Sequence, residues 1–105
     1  MAYCVDYGDL YNNGTTKELK VNNGDVFKIY AVGTGGSMSY QVVGKLESNA
    51  TATPLAMYKY SSPNTTPSST ITDGGIYEID VAGFYSVSVQ NVSGCTKIYG
   101  TIVEV

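Results

Sequence analysis

A chain of 105 residues has room for one domain, and its 43% hydrophobic content is enough to fill one core while its 14% charged content leaves an unusually neutral exterior. The formal charge of -3 and six scattered lysines argue against nucleic-acid binding, which needs a clustered basic patch. No apolar run approaches the roughly 18 residues that a membrane span requires, and the absence of histidine removes the side chain on which most triads, zinc sites and general-base roles depend.

Val, Ile, Thr and Tyr favour strands, and Gly and Asn recur at intervals of about ten residues, the cadence of a sandwich or barrel. The expected fold class is therefore all-β, an antiparallel β-sandwich of jelly-roll or immunoglobulin-like type with about seven to nine short strands in one domain over 1–105. Ala2 to Tyr7 reads as a first strand and Gly8 to Thr16 as a loop containing the turn-former Asn12-Asn13-Gly14. Lys17 to Val21 follows as a second strand, and Asn22-Asn23-Gly24 predicts a hairpin because Asn and Gly tolerate positive φ. Asp25 to Val32 places Phe27, Ile29 and Ala31 on one face and Val26, Lys28 and Tyr30 on the other, and either is apolar enough to face inward.

Gly33 to Gly36 predicts a turn, and Ser37 to Glu47 alternates so that Met38, Tyr40, Val42, Gly44 and Leu46 share a buried face. Pro54 to Tyr60 reads as one strand with proline at its first position. Ser61 to Ser69, with two prolines and nothing apolar to bury, predicts an exposed loop. Gly75 to Val81 reads as a half-buried strand with Tyr77, Ile79 and Val81 on one side and Glu78 and Asp80 on the other. Phe84 to Val92 alternates Tyr85, Val87 and Val89 with Ser86, Ser88 and Gln90, and Cys95 to Val105 sets Ile98, Gly100 and Ile102 against Tyr99, Thr101 and Val103. These last three strands are expected to form a meander.

Few groups point to chemistry, and the expectation is a protein that is not an enzyme and carries no cofactor. Asp73, Glu78 and Asp80 read as solvated turn and strand charges. Asp6 to Gly14 holds oxygen ligands at short spacing, but it reads as an Asx-rich turn rather than a calcium loop, and no metal site is expected. Gly33, Gly35, Gly36 and Gly44 precede no helix that would receive a phosphate, so they read as turn and bulge glycines. Cys4 and Cys95 lie outside any CxxC spacing and could bond only if the first and last strands are neighbours; otherwise they are two small buried hydrophobes. The sequons at Asn13, Asn49, Asn64 and Asn91 are taken as chance products of an Asn- and Thr-rich composition, since no signal peptide precedes them.

Tyrosine is the one over-used residue, with ten copies against two Phe and no Trp. A phenol joins a stacking face to a hydrogen-bonding tip, so Tyr3, Tyr7 and Tyr11, together with Tyr58 and Tyr60, are the candidate contacts for a protein partner or a glycan. Core and rim packing is the competing expectation for each of them.

From about Ser37 onward the chain resembles small β-sandwich structural proteins, of decoration or fibre type, in tailed-bacteriophage virions. The residues that carry the likeness are Gly44-Lys45-Leu46-Glu47, the segment Ser69-Thr70-Ile71-Thr72-Asp73-Gly74-Gly75-Ile76-Tyr77-Glu78-Ile79-Asp80-Val81-Ala82-Gly83-Phe84, the alternating valines that follow, and the closing strand Thr96 to Val103. The resemblance implies a non-catalytic virion protein, a capsid decoration, head-fibre or tail-associated component. It would be made in the bacterial host cytoplasm, would dock on the major capsid or tail protein and would form a homo-oligomer. Residues 1–16 lie outside the resemblance and are the candidate attachment or oligomerisation segment. The alternative expectation is a carbohydrate-binding module that reads host surface glycan through exposed tyrosines.

Overall fold

The computed structural model describes residues 3–33, 37–60 and 66–104. Those residues form ten strands: β1 (Tyr3–Asn12), β2 (Thr15–Thr16), β3 (Leu19–Lys20), β4 (Val26–Gly33), β5 (Ser39–Lys45), β6 (Thr53–Pro54), β7 (Tyr58–Lys59), β8 (Tyr77–Asp80), β9 (Ser86–Ser93) and β10 (Cys95–Glu104). All pairings are antiparallel, in a six-stranded sheet of order β2-β1-β10-β4-β8-β7 and a four-stranded sheet of order β3-β9-β5-β6. The architecture is an antiparallel β-sandwich, and four of its ten strands are only two residues long.

The core lies between the sheets. Leu10, Phe27, Ile29, Tyr77, Ile98 and Ile102 of the larger sheet meet Leu19, Tyr40, Val42, Val87 and Val89 of the smaller one in a single hydrophobic cluster. Alternation predicts the inward Tyr77 of β8 and Val87 and Val89 of β9, and in β4 and β10 it groups the residues that share a face, because side chains on a strand point to opposite faces in turn. In β4 the ambiguity is resolved: Phe27, Ile29 and Ala31 are buried, and Val26, Lys28 and Tyr30 face outward. Leu46 breaks the expected pattern. It lies beyond the end of β5 and is 69% exposed.

Four connections differ from expectation, and all for the same physical reason. Alternation says which face is apolar but not which sheet receives the strand. First, β1 does not end at Tyr7: it runs through the expected loop to Asn12, paired with β10 from Tyr3↔Glu104 to Asn12↔Lys97. Asn13 (φ 46°) and Gly14 (φ 97°) then supply the positive-φ pair a two-residue hairpin requires. Second, the turn at Asn22 (φ 51°) does not join a hairpin, because β3 belongs to the smaller sheet and β4 to the larger. Third, Pro54 to Tyr60 is split: β6 pairs with β5, and β7 crosses to pair with β8. Fourth, the meander is absent, since β9 lies in the sheet opposite β8 and β10. Ala2, residues 34–36 of the expected turn, residues 61–65 of the expected loop with the Asn64 sequon, and Val105 lie outside the described residues.

The cysteine question is also settled by register. β1 and β10 are indeed neighbours, but Cys4 lies opposite Val103 while Cys95 lies opposite Gly33 at the far end of β10. Both thiols are free; Cys4 is exposed and Cys95 half-buried, rather than both buried.

Candidate binding surface

The outer face of the six-stranded sheet gathers the exposed aromatic residues. One cross-strand row reads Tyr7–Thr101–Lys28–Glu78–Tyr58. The next contains Asp9, Tyr99 and Tyr30 in register, and Ile76, whose carbonyl accepts the Tyr60 N–H at 2.9 Å, continues it towards β7. Tyr7, at 66% exposure, with Tyr30, Tyr58, Tyr60 and Ile76, is among the most exposed large apolar side chains described.

Of the five tyrosines proposed from sequence, Tyr7, Tyr58 and Tyr60 therefore share one face. Tyr11 does not join them: it sits opposite the buried Ile98, is half-buried and packs against the core. The side chain of Tyr3 lies outside the described residues. Tyr30 and Tyr99, whose rings lie 6.0 Å apart at 50°, join this face without being among those five. Tyr99 stood on the correct face of its strand, but its neighbour Tyr30 stood on a face that alternation left open.

Two hollows flank the Lys28–Glu78 pair. One, of about 200 Å³, is lined by Lys28, Ile29, Tyr30, Ile76, Tyr99 and Thr101. The other, of about 370 Å³, is lined by Val26, Tyr58, Glu78, Ile79 and Asp80. The row is thus electrostatically divided, with the ammonium on the side of the paired rings and two carboxylates on the other. Lys28 Nζ sits 5.0 Å from the centre of the Tyr60 ring, a cation–π arrangement, and forms no ion pair among the described residues. Lys20, Lys59 and Lys97 pair with Glu18, Asp73 and Asp9 at 3.1, 3.3 and 3.6 Å. A third hollow, of about 290 Å³, opens at the β6 edge between Leu46, Leu55 and Phe84.

The outer edge of β1 is a second feature. Among the described residues β2 pairs with it only at Tyr11 and Asn12, and the Lys17 N–H reaches Leu10 O at 2.9 Å. From Tyr3 to Asp9 no described strand lies on that side. Side chains satisfy part of this edge: Asp6 Oδ1 accepts the Tyr7 N–H at 2.8 Å, and the Cys4 thiol donates to Asp6 O at 3.1 Å. Register shifts between Cys4 and Asp6 and between Asp9 and Tyr11 frame a regular stretch of four pairs, Asp6 to Asp9. Such bulges shorten the template that an open edge offers.

The oxygens of the Asp6 to Gly14 segment are occupied locally. Asp9 Oδ2 accepts from Asn12 Nδ2, Asn12 Oδ1 accepts from Asn13 Nδ2, and Asp9 Oδ1 faces Lys97. Among the described residues there is no group of three or more His, Cys, Asp or Glu side chains placed to hold a metal ion.

Asp73 stands at the end of the sandwich, where it accepts hydrogen bonds from the Gly75 N–H, the Tyr77 hydroxyl and the Lys59 ammonium. Burial pushes its carboxyl up, but these three donors together outweigh burial and hold it below its ordinary value. Burial, and then the Asp73 hydrogen bond, pushes the Tyr77 phenol up. Burial likewise raises the Cys95 thiol, which lowers its thiolate fraction and reactivity.

No protein-family model matches the chain, and no curated protein matches it either. Two solved structures share its fold. The SPBc2 prophage-derived protein YomS superposes with a TM-score of 0.72 at 16% identity, over 99% of this chain and 92% of that one. The PBSX exported protein XepA gives a TM-score of 0.76 at 17% identity over 99% of this chain. There the match spans 38% of the longer XepA chain.

Proposed function

We propose that the chain is a non-catalytic structural protein of a bacteriophage particle, a decoration, head-fibre or tail-associated component. It is made in the host cytoplasm and docks on the major capsid or tail protein. Three lines support this reading: the resemblance of the Ser37-onward pattern to phage virion sandwiches, the full-length fold match to two proteins whose names mark a phage origin, and the lack of histidine.

The observation that carries the mode of docking is the open edge of β1. Backbone N–H and C=O groups on an unpaired edge are satisfied best by another extended strand, and that is how strand addition secures a partner. On this reading residues 1–16 are the attachment segment, and Tyr3–Asn12 and Thr15–Thr16 within it also form part of the sheet. Repetition by particle symmetry, or within a homo-oligomer, would multiply a weak single contact.

The test is a pair of substitutions at Tyr7. Its N–H already bonds to the Asp6 side chain, so Tyr7→Pro removes an edge donor without removing one that β10 uses. Tyr7→Pro is expected to abolish co-sedimentation with phage particles, and Tyr7→Ala to preserve it. Equal binding by both variants would refute docking by this edge, and no binding by the unmodified protein would refute the virion role. Light scattering across a concentration series reads the oligomeric state.

The second reading, a carbohydrate-binding module, is favoured by the tyrosine-bearing outer face. It predicts signal on a glycan array that Tyr58→Ala and Tyr60→Ala reduce.

A further inference from the structure

We infer that the hollow between Lys28, Tyr30, Ile76, Tyr99 and Thr101 is a subsite for one ring of an acidic saccharide, a pyranose carrying a carboxylate. The inference rests on the reading of this face as a sugar-contact surface and gives that reading a ligand class; it is independent of docking through β1.

The argument begins with size. At about 200 Å³ the hollow is smaller than the roughly 300 Å³ at which pockets begin to enclose a whole small molecule, so it suits one ring of a chain whose other rings stay in solvent. Shape comes next. Tyr30 and Tyr99 are inclined at 50° with centres 6.0 Å apart, which makes a V-shaped trough rather than a flat platform. The C–H face of a pyranose can rest on one phenol while the other bounds its edge, and the phenol hydroxyls and the Thr101 hydroxyl remain as partners for ring hydroxyls. Ile76, 48% exposed, supplies apolar surface at the rim.

Charge then selects within the sugars. Lys28 lines the trough, and its ammonium stands over the Tyr60 ring and forms no ion pair among the described residues. An ammonium held on an aromatic face, with no carboxylate in ion-pair contact, remains able to pair with an incoming anion. Glu78, opposite Lys28 in register, lines the other hollow together with Asp80. No carboxylate lines the trough, and Asp9, which stands in register with Tyr99, is paired with Lys97, so a ligand carboxylate placed beside Lys28 meets its ammonium first.

The experiment is an NMR titration of the full chain with trigalacturonic acid, with its carboxyl-reduced neutral counterpart, and with acetate. The expected result is that trigalacturonate shifts the Tyr30 and Tyr99 ring signals and binds about tenfold more tightly than the neutral trisaccharide. That preference should disappear in Lys28→Met, which keeps the apolar stem, and in high salt. Acetate alone should leave the rings unshifted. If both trisaccharides bind equally and Lys28→Met changes nothing, the acidic subsite is wrong while sugar contact stands. If neither binds, both fall. If acetate shifts the rings as strongly as the trisaccharide does, the site is one for small anions and the ring subsite is refuted.

Discussion

Tyr40 is the largest of the fully buried side chains, and its hydroxyl has no hydrogen-bond partner among the described residues. A buried hydroxyl without a partner costs about 1–3 kcal/mol of desolvation, so Tyr40→Phe is expected to raise stability by about 1 kcal/mol in urea unfolding. Burial also pushes this phenol up, well above its ordinary value. A group whose folded-state pKa is raised contributes stability that is complete below its unfolded pKa and is lost as pH rises, because only the unfolded chain then releases the proton. For tyrosine the loss begins at about pH 10. Stability should therefore fall above that pH, and Tyr40→Phe should shallow the fall, with the raised Tyr77 phenol acting in the same direction. Gly100 is constrained by space instead: a Cβ there would stand 2.6 Å from Phe27 Cε1 and 2.7 Å from Leu10 Cδ1. Gly100→Ala overpacks the core and is expected to cost about 1–3 kcal/mol, read as a lower urea midpoint.

At the scale of elements, β1 joins two roles. Its inner side anchors it, since Leu10 at the second register shift is fully buried in the common core. Leu10→Ala should cost about 2–5 kcal/mol in chemical denaturation. Loss of residues 1–11 would strip one edge of β10 of nearly all its pairing and remove the buried Leu10, so a chain without them is expected to lack cooperative unfolding. For that reason attachment is better probed by a proline on the edge than by deletion. The segment read from sequence as a loop is a strand here because ten residues of β10 stand ready to pair with it, and local composition carries no trace of a partner so distant in sequence.

At the scale of the whole molecule, the two cysteines report the register. Cys4 lies opposite Val103, eight positions along β10 from Cys95, which is about 26 Å at some 3.3 Å per residue, whereas a disulfide needs Cα atoms within about 7 Å. Thiol titration of the unfolded, unreduced protein should find both cysteines free, and a non-reducing peptide map should contain no Cys4–Cys95 link. The candidate surface has a similar origin. Tyr58 and Tyr60 share a face by simple alternation, and Tyr7 stands opposite Thr101, but Tyr30 and Tyr99 become neighbours only because β4 pairs with β10.

What the sequence alone determined is the all-β class, the sets of residues that share a face in β4 and β10, the apolar face of β8, the inward Val87 and Val89 of β9, and the tight turns at Asn13-Gly14 and Asn22. Each of these follows from local physics, from the two-residue period of a pleated strand or the φ tolerance of Asn and Gly. Tertiary structure decided the rest: the inner face of β4, the length of β1, the crossing of β3, β6 and β9 into the smaller sheet, the separation of the cysteines and the assembly of the tyrosine face. These depend on which strand lies beside which. Two apolar faces must cover one another across the sandwich, and that requirement is met between residues as far apart as Tyr3 and Glu104.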